Sequence, residues 1–65
     1  MTIDELAQTA RDRKEQMLIA RQSGDAESAL SAAAEYANAI TEWHKRKYPG
    51  KRFNKPSPGY LLRAI

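Results

Sequence analysis

The chain has 65 residues, enough for one small domain but not for a catalytic domain beside a binding domain. It contains no cysteine and only one histidine, His44, which excludes disulfides, cysteine-containing zinc sites and a multi-histidine metal site within one chain. No apolar run approaches the roughly 20 residues that span a bilayer, and the first residues lack the basic-then-apolar pattern of a signal peptide. We therefore expect a cytoplasmic protein with no cofactor, no small-molecule substrate and no membrane partner.

Residues 2–5 predict the start of a first helix. In this segment the Thr2 hydroxyl can accept a hydrogen bond from the third helical amide, while the Glu5 carboxylate reaches back to the cap. The helix is expected over residues 3–22, because apolar residues recur there at helical spacing and share one face. That face comprises Ile3, Leu6, Ala7, Ala10, Met17 and Leu18.

A short glycine turn separates the first helix from the second. Gly24 can adopt the left-handed conformation that closes a helix, and Asp25 is a good N-cap for the next one. So short a connection between two amphipathic helices favours antiparallel packing. The predicted fold is an all-α antiparallel helical hairpin over residues 1–48. Residues 49–65 are expected to form a basic, aromatic-bearing tail that packs on the same single domain.

The second helix, expected over residues 26–47, carries more apolar surface than the first helix can cover. Its apolar arc takes in roughly half of the circumference, against about 100° for an ordinary surface helix. Small alanine side chains also allow another helix to approach closely. We expect this surface to mediate a homodimer arranged as a four-helix bundle. The predicted interface residues are Ala29, Ala33, Tyr36, Ile40, Trp43, Leu61 and Ile65.

The tail begins at Pro49-Gly50, which ends the second helix. Ser57 is suited to cap a short third helix over residues 58–65, with Pro58 at its first position. This apolar segment can cover the wide face of the second helix within one chain, or it can dock on another chain. The sequence leaves both alternatives open.

Charge is unevenly distributed along the chain. Residues 1–43 hold all eight acidic residues and four bases, whereas residues 44–65 hold seven bases and no acid. Bases mixed with aromatic rings are typical of surfaces that bind phosphates and stack on unpaired nucleobases. Alternatively, these bases complement the helix dipole and the acidic half of the same chain or of a second copy, and keep a small core soluble. The predicted nucleic-acid-binding residues are Lys45, Arg46, Lys47, Tyr48, Lys51, Arg52, Phe53 and Lys55.

No set of residues predicts catalysis. The acids at the helix starts are explained by the helix dipole, and no catalytic triad can be assembled around His44. We expect His44 to be a packed histidine near a helix end and not a metal ligand.

The predicted function is that of a small non-enzymatic interaction or regulatory protein that self-associates and presents a basic end to a macromolecule. The alternatives are a nucleic-acid-binding accessory protein, and an adaptor or inhibitor that docks on a larger host protein.

Overall fold

The computed structural model describes residues 1–64, which form three α-helices. The helix α1 spans Ile3–Gln22, α2 spans Ala26–Lys47 and α3 spans Pro58–Ala64. The expectation of an all-α chain is confirmed. No helix among these residues combines the length and the hydropathy needed to cross a membrane.

The first helix begins with the capping box that its sequence predicts. The backbone N–H of Glu5 donates to Thr2 Oγ1 at 3.1 Å, and the backbone N–H of Thr2 donates to Glu5 Oε1 at 3.0 Å. The first amides of a helix have no partner inside the helix, so these two bonds satisfy donors that would otherwise need water.

The chain reverses at Gly24, whose φ of 77° lies in the left-handed region. The backbone N–H of Asp25 donates to the carbonyl of Ala20 at 3.0 Å, which satisfies one of the last carbonyls of α1. The side chain of Asp25 then accepts a bond from the backbone N–H of Ser28 at 3.1 Å and caps the start of α2. One short turn thus ends the first helix and begins the second.

The two long helices pack against each other in opposite directions, as the sequence predicts. The guanidinium of Arg13, midway along α1, pairs with the carboxylate of Glu35 on α2. Nearer the turn, Met17 packs against Ala32 and Ala33. Residues later in α1 therefore meet residues earlier in α2.

The core between the helices consists mostly of alanine. Met17, only 1% exposed, is the largest fully buried side chain in the described part of the chain. Alanine allows close helix approach but removes little apolar area from water, and burial stabilises by about 25 cal/mol per Å². The core is therefore small in energetic terms. Its buried residues are Leu6, Ala10, Met17, Ala29, Ala32, Ala33, Ala37 and Ala39.

Two residues expected on the buried face of α1 lie at its edge instead. Ile3 is 39% exposed and Leu18 is 38% exposed. Leu18 follows the buried Met17 by one position, and one step along a helix turns the side chain about 100° around the axis. Ile3 is the first residue of the helix and has no preceding turn to pack against. Apolar periodicity therefore identifies the apolar face of α1, but it does not show how many residues of that face another helix buries.

The third helix covers part of the hairpin within the same chain. Ser57 begins it, because the Ser57 Oγ accepts a bond from the backbone N–H of Tyr60 at 3.2 Å and its carbonyl accepts one from Leu61 at 3.1 Å. Leu61 and Leu62 are half-buried against the cluster around Met17. The last residue of the expected segment, Ile65, lies outside the described residues.

Candidate functional site at the end of the second helix

Six exposed bases lie in the last turn of α2 and in the segment that follows, and together they are called the basic end. Three of them occupy consecutive positions of the last helical turn, where the partial negative charge of the helix C-terminus stabilises cations. Consecutive positions are about 100° apart, so these three side chains spread over about 200° of the helix circumference instead of lining one face. The six bases are Lys45, Arg46, Lys47, Lys51, Arg52 and Lys55.

The helix closes on Tyr48, whose backbone N–H donates to the carbonyl of His44 at 2.8 Å. The carbonyl of Tyr48 in turn accepts a bond from the backbone N–H of Lys51 at 3.1 Å. Gly50 makes this turn with a φ of 85°, a conformation that costs little only without a Cβ. The chain therefore reverses directly after α2, and Lys51 stays beside Tyr48.

Four aromatic rings form a cluster that holds the reversed segment against α2. The ring centroids of His44 and Phe53 are 4.7 Å apart, those of His44 and Tyr48 are 5.2 Å apart, and those of Trp43 and Tyr48 are 6.1 Å apart. The first and last of these pairs are T-shaped, an arrangement that the ring quadrupoles favour. The cluster therefore anchors both ends of the segment between Tyr48 and Phe53.

Lys47 is the base most closely tied to the cluster. Its Nζ lies 4.9 Å from the centroid of Trp43 and 5.8 Å from that of Tyr48. Both distances fall within the roughly 6 Å reach of a cation–π interaction. This contact orients the Lys47 ammonium towards the rings.

The charges of the basic end are only weakly compensated. Within residues 1–64, Lys45 is the one member of the set with a carboxylate inside 4 Å, because its Nζ lies 3.7 Å from Glu42 Oε1. Both side chains of this pair are exposed, and exposed pairs contribute little. Hydrogen bonds from the backbone and the side chain of Thr2 lower the pKa of Glu5, and the charge of Arg46 adds a smaller effect in the same direction. The charge of Arg46 therefore acts on the carboxylate of Glu5 in the first turn of α1, although the described residues form no ion pair between that turn and the basic end.

His44 lies beneath this surface. Its Nδ1 is buried and has no hydrogen-bonding partner, and its ring contacts both Tyr48 and Phe53. The described residues include no group of three or more His, Cys, Asp or Glu that could hold a metal ion. In this arrangement His44 contributes ring packing.

The predicted nucleic-acid-binding residues differ in their accessibility. Tyr48 is 43% exposed, whereas Phe53 is half-buried against His44. Sequence reasoning missed the pairing of His44 with Phe53, because no periodic pattern links a helical residue to a tail residue. The contact of Lys47 with Trp43 has a readable signal, since the two residues are helical neighbours at i and i+4.

The predicted interface residues of α2 are divided between the interior and the boundary of the chain. Ala29 is 2% exposed and Ala33 is fully buried, so neither has surface left for a second copy of this fold. Their small side chains instead allow close packing within one chain. Tyr36, Ile40 and Trp43 are half-buried and retain accessible surface.

The C-terminal members of the predicted interface lie on the hairpin or outside the described chain. Leu61 is half-buried against the core of the same chain, and Ile65 is not among the described residues. The adjacent Leu62 lines a cavity of about 190 Å³ together with Gly24 and Ala29, which locates α3 near the turn of the hairpin.

Comparison of the chain with protein-family models, with curated proteins and with solved structures gave no match.

Proposed function

We propose that this chain is a non-enzymatic interaction protein whose basic end binds an anionic macromolecule. The observation that carries the proposal is the series of six exposed bases in the last turn of α2 and in the segment that follows it, with a direct carboxylate partner for Lys45 alone among the described residues. Unpaired cations at this density attract polyanions by releasing the counterions condensed on them. A partner with many negative charges would supply carboxylate-like partners for the bases that have none among residues 1–64.

The chemistry of this end supports binding and not catalysis. Its cations are Lys and Arg side chains, and its one imidazole has a buried Nδ1 and is covered by two rings. A general base needs to lie within hydrogen-bond reach of a reacting proton. The exposed groups instead offer permanent charge and aromatic surface.

The test is titration of the protein into a labelled polyanion, such as heparin or an oligonucleotide, at several salt concentrations. The affinity should fall linearly with salt on logarithmic axes, with a slope that reports the number of phosphates or sulfates neutralised. Lys51→Gln combined with Arg52→Gln should weaken binding and reduce that slope by about 2. The matched control is Arg11→Gln with Lys14→Gln, which removes the same charge from exposed positions of α1. Absence of binding to every polyanion at low salt would overturn the proposal.

We further propose that two copies associate through α2. The alanine core supports this, because a core that buries little area leaves stability to be gained from association. The half-buried Tyr36 and Trp43 are suitable anchors, since large aromatic residues dominate interface energetics.

Light scattering across the micromolar range should show a dimer that dissociates on dilution. Tyr36→Ser should shift the equilibrium to monomer while Tyr60→Ser, on α3, should not. A wild-type monomer at every concentration would contradict the association.

A further inference from the structure

We propose that the anionic partner is a single-stranded nucleic acid, one nucleobase of which stacks on the ring of Tyr48. This inference rests on the proposed function. Three features of the same surface favour such a partner. These are the accessibility of Tyr48, the fixed position of its backbone, and the placement of Lys and Arg residues on both sides of it.

Tyr48 is the most accessible ring of the aromatic cluster. It is 43% exposed, while Trp43, His44 and Phe53 are half-buried. Phe53 is engaged edge-on with His44, so it is occupied by packing within the chain. Tyr48 is therefore the ring of this cluster with the most surface left for a ligand.

The position of the Tyr48 ring is fixed before any ligand arrives. Its N–H and its carbonyl both make backbone hydrogen bonds, at 2.8 Å to His44 and at 3.1 Å from Lys51. The ring also contacts two other rings and lies 5.8 Å from the Lys47 ammonium. A stacking platform that is already ordered loses less conformational entropy on binding than a mobile side chain does.

Basic residues flank Tyr48 on both sides along the chain. Lys45 and Arg46 precede it in the last turn of α2, and Lys51 and Arg52 follow it after the turn at Gly50. A nucleic-acid strand that stacks one nucleobase on Tyr48 therefore meets Lys and Arg side chains that can bind the phosphates on either side of that nucleobase. This combination of charge and stacking surface is the arrangement by which proteins bind single strands without reading sequence.

A double helix fits the same surface less well. Base edges of a duplex are read by an element that enters the major groove with one face, but the cations of the last turn of α2 spread over more than one face of the helix. Bases inside a duplex are also stacked on each other, so the exposed ring would have no partner. An anionic lipid surface would use the cations but would likewise leave Tyr48 without a stacking partner.

The experiment compares three labelled probes by fluorescence anisotropy or co-sedimentation at the same salt concentration. They are an oligothymidine of about 16 nucleotides, within the size range of single-strand sites, the duplex it forms with its complement, and vesicles containing an anionic phospholipid. The single strand should bind tightest. Tyr48→Leu should weaken single-strand binding about tenfold, which corresponds to the loss of one base–aromatic stack, and should leave duplex binding unchanged.

Two further variants separate stacking from folding. Tyr48→Phe keeps the ring and should bind as the wild type does, and Tyr60→Leu removes an exposed ring from α3 and should also have no effect. Circular dichroism of each variant checks that the helices are retained. Equal affinity for single strand and duplex, tighter binding to vesicles, or wild-type affinity in Tyr48→Leu would each overturn the inference while leaving the proposed function standing. Failure to bind any of the three probes would also overturn the inference, and failure to bind heparin at low salt as well would remove the proposed function itself.

Discussion

The ring of Phe53 stands nearly perpendicular to the ring of His44, with an interplanar angle of 88° and centroids 4.7 Å apart. The first residue belongs to the tail and the second to α2, and the turn at Gly50 lies between them. The contact therefore closes a small loop that contains Lys51 and Arg52. Two of the six bases of the basic end are therefore positioned by one pair of rings.

Removing the Phe53 ring should loosen this loop. We expect Phe53→Ala to lower the free energy of unfolding by roughly 1–2 kcal/mol, from lost apolar burial and the lost ring pair. A double-mutant cycle with His44→Ala isolates the pair and should give a coupling energy of about 1 kcal/mol. Urea denaturation followed by circular dichroism measures both quantities. Tyr60→Ala, which removes an exposed ring, serves as the control. A coupling energy near zero would show that the two rings do not stabilise each other.

The hairpin could be predicted because its determinants act over three or four residues. The bonds between Thr2 and Glu5 and the turn at Gly24 are local, and each is readable from side-chain chemistry and spacing. The direction of packing then follows from the shortness of the turn. No knowledge of distant contacts is needed at any of these steps.

The arrangement of the basic end could not be predicted in the same way. It depends on Phe53 reaching back to His44, a contact that competes with solvent and with other apolar surfaces of similar size. The burial of Ala29 and Ala33 within one chain is a second case, since a second copy of the hairpin could cover the same face. Spacing and hydropathy are identical for both outcomes, and only the three-dimensional path of the tail distinguishes them.

The two glycines at positions 24 and 59 should respond oppositely to alanine. Gly24 has a φ of 77°, so a side chain there is strained although open space surrounds the added Cβ. We expect Gly24→Ala to destabilise by about 1–2 kcal/mol, the cost of the left-handed region. Gly59 lies inside α3 with open space around it and without a positive φ. Gly59→Ala should be neutral or stabilising by up to about 1 kcal/mol, the difference in helix propensity. Chemical denaturation of both variants measures the contrast, and a stabilising Gly24→Ala would contradict the assigned turn geometry.

The alanine core should not tolerate larger side chains. Ala33 is fully buried beside Met17, so Ala33→Leu forces the helices apart or the side chains out of their rotamers. Overpacking of this kind typically destabilises by about 1–3 kcal/mol. Ser31→Leu places the same residue on the exposed face of α2 and should change stability by less than about 0.5 kcal/mol. Thermal unfolding of the two variants provides the comparison. Equal midpoints would mean that α2 packs on α1 less closely than the structure indicates.

The helix caps should make stability fall on the acid side of neutrality. Hydrogen bonds from Thr2 lower the pKa of Glu5 below its ordinary value of 4.5, and hydrogen bonds from Ser28 lower the pKa of Asp25 below 3.8. A carboxyl group with a lowered pKa in the folded state stabilises the fold above its unfolded pKa and loses that contribution as pH falls through the folded value. The contribution of the caps to the thermal midpoint should therefore be constant from neutral pH down to about pH 5 and should decline below that, as both carboxylates take up protons.

Variants at the caps assign this decline to its two groups. Asp25→Asn keeps a capping side chain but removes the titrating group, so the midpoint near pH 7 should change little while the acid-side decline becomes shallower. Glu5→Gln should act in the same way at α1, because glutamine also serves in a capping box. Glu15→Gln removes the same charge from an exposed position that caps no helix, and it should keep the wild-type profile. An acid-side decline that is as steep in the Glu5 and Asp25 variants as in the wild type would show that the caps are not its source.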